Sequence, residues 1–235
     1  MFLHAASVPT AAGGTVEVRF TDASLDLQGD RPGFAADLAA LEAETGARFA
    51  RLSQVHSDVV HEVVADPGPG PRDDVPVGDG LVGAVPGVGL MVRVADCVPV
   101  VLADPGTGVL GVAHAGREGV RLGVVTRTVE RLRRLGAGPA LRAWVGPHVC
   151  GSCYEVPAAM RTAVADVVPA TAARTRTGTP ALDLGAGVLA QLALAGVPAE
   201  TVGGCTLEDP AAHSYRRDGA ASGRLAGLVW TEGRA

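Results

Sequence analysis

A chain of 235 residues with 47% hydrophobic and 19% charged residues is long enough to bury a substantial core and has the make-up of a soluble globular protein. Its formal net charge of -5 argues against a nucleic-acid or membrane-surface partner, and no apolar run approaches the roughly 18 residues of a membrane span. All 20 basic residues are arginine, which excludes Schiff-base and pyridoxal-phosphate catalysis and the P-loop, each of which needs a lysine amine.

Taken in chain order, the alternation in TVEVRFT (15–21) predicts an early strand. RPGFAADLAALEAETG (31–46) predicts a helix with Pro32 near its first turn and Gly46 as its stop. ARFARLSQVHSDVVHEVV (47–64) reads as strand, break, strand, and the break carries Gln54, Val55 and His56. ADPGPGPRDDVPVGDG (65–80) is a Pro/Gly/Asp loop, too polar and broken for core structure. DGLVGAVPGVGLMVRVAD (79–96) supplies two more short strands and leads into RVADCVPVVLADPGTGVLGVAHAGREG (93–119), whose two apolar runs flank a PGTG turn. Beyond it, REGVRLGVVTRTVERLRRLG (117–136) predicts one amphipathic helix ending at Gly136. ALRAWVG (140–146) predicts a strand, and VPAAMRTAVADVV and LDLGAGVLAQLALAG predict helices. ETVGGCTLED (200–209) reads as a strand with Cys205 near its end, and AAHSYRRDGAASGR (211–224) as a polar loop. With no internal repeat and no linker, residues 1–235 are expected to form a single α+β domain of mixed β-sheets with flanking helices.

The segment MFLHAASVPTAAGG lacks the basic start and apolar core of a secretory signal. A cytoplasmic location follows as the expectation. In a reducing compartment the four cysteines, Cys97, Cys150, Cys153 and Cys205, read as metal ligands or catalysts rather than disulfides.

The hairpin sets Cys97 and His114 at its open end. Pairing Ala103 with Val109 places Cys97 opposite Ala115, and a register one residue different pairs Cys97 with His114 itself. A slip of one turns a side chain to the other face, and the sequence leaves both registers open. Buried cysteine often behaves as a small hydrophobe, with a nearby histidine merely hydrogen-bonded. Two features point to chemistry instead: the ionisable Asp96 flanks the thiol, and AGREG after His114 is a small-residue turn opening a helix. Cys97 is then either a thiolate nucleophile with His114 as base or, with His114, a metal ligand needing a third partner. His56, His61, His148 and the pair Cys150/Cys153 are the candidates. His56 sits in a strand break beside Gln54 and Ser57, whereas His61 lies in an alternating strand and reads as structural. A Cys/His/His set with an open position suits zinc and an activated water, and it also admits copper. CGSC (150–153) lacks the second cysteine pair of a zinc ribbon and does not open a helix directly as a redox motif does, so it reads as a loop near the site.

Together QVHSD, ADCVPV, AHAGREG, GPHVCGSCYEV, the CT at 205–206 and SYRRDGAASGR, in that order, resemble the YfiH-type family, also labelled multicopper polyphenol oxidase or laccase domain and purine nucleoside phosphorylase. The resemblance runs from about Gln54 onward. It implies a four-layer α/β/β/α sandwich with zinc held by His56, Cys97 and His114. It also implies phosphorolysis of adenosine, inosine and methylthioadenosine and deamination of adenosine, with older laccase assignments and a proposed role in policing cell-wall precursors. The chain departs from the family at HAGREG, where HAGWRG is usual. It departs again at TDASLDLQGD, where Asp26 replaces an expected asparagine, and in the next helix, where Asp37 and Leu38 are nearest to a missing Asn-Arg pair.

The leading expectation is therefore a zinc-dependent enzyme whose small-molecule partners are a purine nucleoside and phosphate. Cys97, His114 and Asp96 carry the chemistry, with Glu155 a second proton carrier, and Gln54, Arg216 and Arg224 contact substrate, with Arg217 also available to phosphate. The alternative is a Cys97–His114 amidase or hydrolase acting on a cell-wall precursor. A copper phenol oxidase is disfavoured because six histidines are too few for a multicopper centre. A non-enzymatic, zinc-stabilised binding module completes the set.

Overall fold

A computed structural model of the chain describes residues 1–71 and 74–233. In chain order the strands and helices begin with β1 (Phe2–Pro9), β2 (Thr15–Thr21), α1 (Phe34–Thr45), β3 (Arg48–Ala50), β4 (Val60–Val63), β5 (Gly80–Gly83) and β6 (Val88–Val94). They continue with β7 (Val98–Asp104), β8 (Val109–Ala115), α2 (Arg117–Leu122), α3 (Val124–Arg134), β9 (Arg142–Val145) and α4 (Ala158–Ala165). The remainder are β10 (Ala172–Arg174), β11 (Pro180–Leu182), α5 (Leu184–Leu194), β12 (Ala199–Thr201), α6 (Tyr215–Asp218) and β13 (Leu225–Glu232).

Two sheets carry the architecture. One runs β1-β2-β13-β6-β3 and the other β12-β9-β7-β8-β5-β4, while β10 and β11 form a separate hairpin. The period of two in each strand sorts side chains to opposite faces. Val16, Val18 and Phe20 of β2 and Val229 of β13 meet Val101, Ala103, Leu110, Val112 and Trp144 in the layer between the sheets. Behind the five-stranded sheet, Leu38 and Leu41 of α1 pack on Met91, Leu228 and Trp230. Behind the six-stranded sheet, Val98, Val100 and Leu102 face α3 and α5 through Val125, Val129, Leu132, Val188 and Leu192. The result is the expected mixed α+β, four-layer α/β/β/α arrangement. β7 and β8 are buried along their whole length; each such Val or Leu contributes roughly 1.5–3 kcal/mol, so the strand ends that carry the site are anchored in fully buried strands.

The hairpin takes neither expected register. Asp104 pairs with Val109 and Pro99 with His114, which carries Cys97 one step beyond the pairing, level with Gly116. The turn decides this. Asp104 Oδ1 accepts from the backbone N–H of Gly106 at 2.8 Å, Gly108 N–H donates to the Asp104 carbonyl at 2.8 Å, and Gly108 adopts φ 76°. This closes the hairpin on a four-residue loop, one residue shorter than pairing Ala103 with Val109 would leave, and fixes Asp104 as the last strand residue. Because Pro99 and Cys97 share a face of β7, Cys97 and His114 still emerge on the same side of the sheet, at the end of the inter-sheet layer.

Other expectations are corrected by local backbone. The single helix over 117–136 is broken into α2 and α3 by Gly123, whose φ of 85° caps the first helix and starts the second. The strand over 200–209 ends at Thr201; Gly203 at φ 80° packs against Pro147 and turns the chain, so Cys205 stands in a turn. The stretch 211–224 contains α6. β1, β10, β11 and β13 were not foreseen, although β13 is the central strand of its sheet. The loop over 65–80 includes Arg72 and Asp73, which lie outside the described residues; its end is not peripheral, because Asp79 is fully buried.

Candidate metal centre and cleft

Three remote segments converge where β8 ends. His114 is the penultimate residue of β8, Cys97 precedes β7, and His56 lies in the break between β3 and β4. One donor atom from each falls within 4.8 Å of the other two. Cys97 Sγ stands 3.6 Å from His56 Nε2, and the two imidazole rings are 4.7 Å apart at 65°. His114 is buried, Cys97 half-buried and His56 exposed, so the cluster opens to solvent on one side only.

Asp79 builds this arrangement. Its carboxylate accepts from the backbone N–H groups of Val55, His56 and Ser57 at 3.3, 3.0 and 2.6 Å and from Ser57 Oγ at 2.7 Å. Three successive N–H groups can converge on one carboxylate only if the chain curls, and His56 accordingly takes the left-handed φ of 63°. Such conformations are costly for a non-glycine residue and persist where surroundings enforce them. The same carboxylate accepts from His114 Nδ1 at 2.8 Å, and the Asp79 carbonyl accepts from the His114 N–H at 2.7 Å. Nδ1 is thereby occupied and Nε2 is turned toward Cys97. One buried carboxylate thus positions both histidines, the supporting partner that metal-binding imidazoles generally have.

The electrostatics match. Burial opposes ionisation of Asp79, but hydrogen bonds from His114 and Ser57 overcome it and hold the carboxyl down at about 2. Burial likewise opposes charge on Cys97, yet attraction to His114 and hydrogen bonding with both imidazoles bring the thiol down to about 6. His114 is the counterpart: burial disfavours its cation, and the Cys97 and Asp79 charges raise it to about 9. Without metal the pair rests as thiolate and imidazolium near neutral pH.

Space is equally specific. A Cβ on Gly116 would lie 2.4 Å from His56 Cδ2 and 3.1 Å from Cys97 Sγ; only glycine lets the start of α2 pass this close. A soft thiolate with two imidazoles, an orienting carboxylate and a solvent-facing side is the donor chemistry of an open zinc or copper position.

The trio helps to line a cleft of about 680 Å³ whose lining also includes Phe34, Arg51, Arg93, Tyr154, Tyr215 and Arg224. Arg93 stands out among these lining residues. Burial, then the neighbouring Arg51 and Arg224 charges, push its guanidinium down to about 10. Its Nη atoms donate to the carbonyls of Leu27 and Leu52, while its buried Nε has no partner among the described residues. Three arginines close enough to repel one another in the cleft, two of them beside the Phe34 ring, make a cationic pocket suited to a compact anion.

The remaining sequence candidates divide. Arg224 and Arg216 line the cleft. Arg216 lies over the Tyr154 ring at 4.5 Å and donates to the Glu155 carbonyl. Gln54 also lines it, but both ends of its amide pair with the Arg93 backbone, at 2.7 and 2.8 Å. Asp96, at φ 77°, has both carboxylate oxygens engaged, by Thr206 Oγ1 at 2.7 Å and the Arg216 N–H at 2.6 Å. Arg217 donates to Thr206, Asp209 and Ala212 carbonyls and pairs with Asp218, and Glu155 is exposed outside the cleft lining. His61 and His148 bond to the carbonyls of Val77 and Gly146. Arg117, at the departure from the family's HAGWRG, donates to Met160 Sδ on α4. Asp79, Arg51 and Arg93 are the residues that sequence reasoning missed; an arginine inside the apolar VRV run of β6 was the available signal for the last.

A two-sheet sandwich presenting a Cys/His/His cluster beside a cationic cleft is the class of protein that this fold and site define. The chain belongs to the multi-copper polyphenol oxidoreductase laccase family, whose profile matches residues 7–232. A Streptomyces coelicolor protein named purine nucleoside phosphorylase is 46% identical over 227 residues, covering 94% of this chain and 92% of its own. A Mycobacterium tuberculosis protein of the same name is 44% identical over 230 residues, covering 95% and 90%. Among solved structures, a Neisseria meningitidis protein superposes with a TM-score of 0.81 at 27% identity, covering 99% of this chain and 100% of its own. YlmD from Geobacillus stearothermophilus gives 0.82 at 24% identity over 99% and 100% and shares the fold. No helix among the described residues is long and apolar enough to cross a membrane.

Proposed function

We propose that this protein is a zinc-dependent purine nucleoside phosphorylase. The observation that carries the reading is the placement of a Cys/His/His cluster and a three-arginine pocket in one cleft, together with the relatives' names. His56, Cys97 and His114 would hold the metal. Bound there, zinc supplies a Lewis acid for substrate oxygens.

The chain's own groups do the rest. Arg51, Arg93 and Arg224 bind the phosphate dianion and aim one of its oxygens at C1′ of the ribose, and Tyr215, half-exposed at the rim, offers a face for the purine. Phosphorolysis then forms the C1′–O bond as the C1′–N9 bond breaks, with the electron pair leaving on the base. Deamination is less well supported: it needs a carboxylate to shuttle protons, and Asp79 and Asp96 are both engaged. A multicopper centre lacks donors, since among the described residues one cluster alone contains histidine.

One observation favours a second reading. Cys97, His114 and Asp79 have the order of nucleophile, base and orienting acid, as a cysteine hydrolase requires. Two assays separate the readings: zinc-loaded protein with adenosine or inosine, with and without phosphate, and metal-free protein with an amide substrate. Base release that requires phosphate, yields ribose 1-phosphate and disappears on chelation is the expected result. Metal-free protein that releases ammonia from an amide, with Cys97 trapped as a thioester, would establish the hydrolase instead.

A further inference from the structure

Among the described residues, one group of ligating side chains besides the trio converges. Cys150, Cys153, Cys205 and Glu208 each place a donor atom within 4.8 Å of the others, and the three cysteines are free, half-buried thiols. We propose that these four residues form a second, closed zinc site that staples together the loops forming one wall of the cleft.

The two contributing turns are built alike. In Cys150–Cys153 the N–H groups of Cys153 and Tyr154 both donate to the Cys150 carbonyl, at 2.9 and 3.0 Å. In Cys205–Glu208 the N–H groups of Glu208 and Asp209 both donate to the Cys205 carbonyl, at 3.1 and 3.0 Å. Each turn thus presents its first and fourth side chains on one side, the purpose that the C-x-x-C spacing serves in structural zinc sites. A bridge between His148 and Cys205 and the contact of the Cys150 N–H with Cys205 Sγ, at 3.4 Å, bring the turns face to face. Tetrahedral zinc with Zn–S near 2.3 Å sets its sulfurs about 3.8 Å apart, within the span these donors already occupy. Three thiolates and a carboxylate carry more negative charge than a divalent ion neutralises. Arg176, from the β10–β11 turn, supplies compensation by pairing with Glu208 at 2.5 Å.

The position says what such a site would do. Thr206, beside Cys205, holds Asp96, and Val149, beside Cys150, donates to the Asp96 carbonyl at 3.0 Å. Asp96 adjoins Cys97, and Tyr154, beside Cys153, lines the cleft. The staple therefore fixes the segment that presents the Cys97 sulfur without itself touching substrate. With four protein donors the coordination is complete, leaving no position for water or reactant.

The test is metal content and thiol protection in the full chain under reducing conditions, saturated with zinc and then desalted. The wild type is expected to keep one more zinc per chain than the triple variant Cys150→Ser/Cys153→Ser/Cys205→Ser, and His56→Ala is expected to lose a different zinc. In the wild type, iodoacetamide labelling of Cys150, Cys153 and Cys205, mapped by mass spectrometry, should fall at least tenfold on zinc loading and recover on chelation. This second measurement needs no variant to fold. Equal zinc in the wild type and a folded triple variant would overturn the proposal, as would labelling of the three thiols that zinc leaves unchanged. A Cys150–Cys153 disulfide persisting in the reduced, zinc-treated protein would also overturn it.

Discussion

The Asp79 carboxylate joins His114 Nδ1 at 2.8 Å while it gathers the N–H groups on either side of His56, so a residue that touches no substrate sets the geometry of two proposed ligands. Replacing it isolates that role. Asp79→Asn keeps the size but loses the charge and one acceptor, and outer-shell changes of this kind cost roughly 10–100-fold in metal affinity. We expect that loss in competition with a chromophoric chelator, with the fold retained by circular dichroism; unchanged affinity would show that the histidines are oriented by other means.

Metal uptake should follow pH with a sign fixed by the coupled pair. Binding needs a thiolate and a neutral imidazole. In the metal-free protein Cys97 is already ionised above about 6 and His114 holds its proton up to about 9. Between these values zinc must displace a proton from His114, so apparent affinity rises with pH about tenfold per unit and levels off above about 9. Below about 6 a second proton competes and the dependence steepens. Calorimetry in buffers of different ionisation enthalpy should register about one proton released at pH 7.5. Release of none would place the resting proton elsewhere.

Gly116→Ala tests the packing. The backbone there is ordinary, at φ -74° and ψ 174°, so alanine brings no conformational penalty. Its Cβ instead collides with His56 and Cys97, an overpacking worth on the order of 1–3 kcal/mol. The variant should fold with a slightly lowered Tm and bind metal at least tenfold more weakly. Wild-type affinity would mean that His56 can swing away at no cost.

Much of this site could be read from the chain alone, for a physical reason. His56, Cys97 and His114 are chemically distinctive residues in a break or at the ends of apolar runs, and six motifs in order tie them to one family. The supporting carboxylate was hidden because Asp79 sits in VPVGDG, whose composition is that of an exposed loop, while its burial depends on a backbone nest that only the folded chain creates. Hairpin register was equally out of reach. Whether Asp104 ends the strand or joins the turn depends on its side chain capping Gly106, and a one-residue difference changes every pair. β13 escaped notice because LAGLVWTE follows a polar stretch, and the two strands it pairs with, β2 and β6, lie more than a hundred residues away in sequence.

The arginine pocket yields its own prediction. A charge-assisted hydrogen bond contributes about 1.5–3 kcal/mol, so Arg93→Met should raise the KM for phosphate roughly 10–100-fold while leaving the KM for nucleoside within a few-fold. Phosphate should also raise the Tm of the wild type and not of the variant. A nucleoside KM that moves as far as the phosphate KM would assign Arg93 to the other substrate.

The most direct measurement is anomalous diffraction at the zinc edge from crystals of the zinc-loaded protein. The account predicts a peak bonded to Nε2 of His114, the Sγ of Cys97 and the His56 ring at about 2.0–2.3 Å, with its remaining side open to the cleft. Fully active crystals without a peak among these three side chains would contradict it.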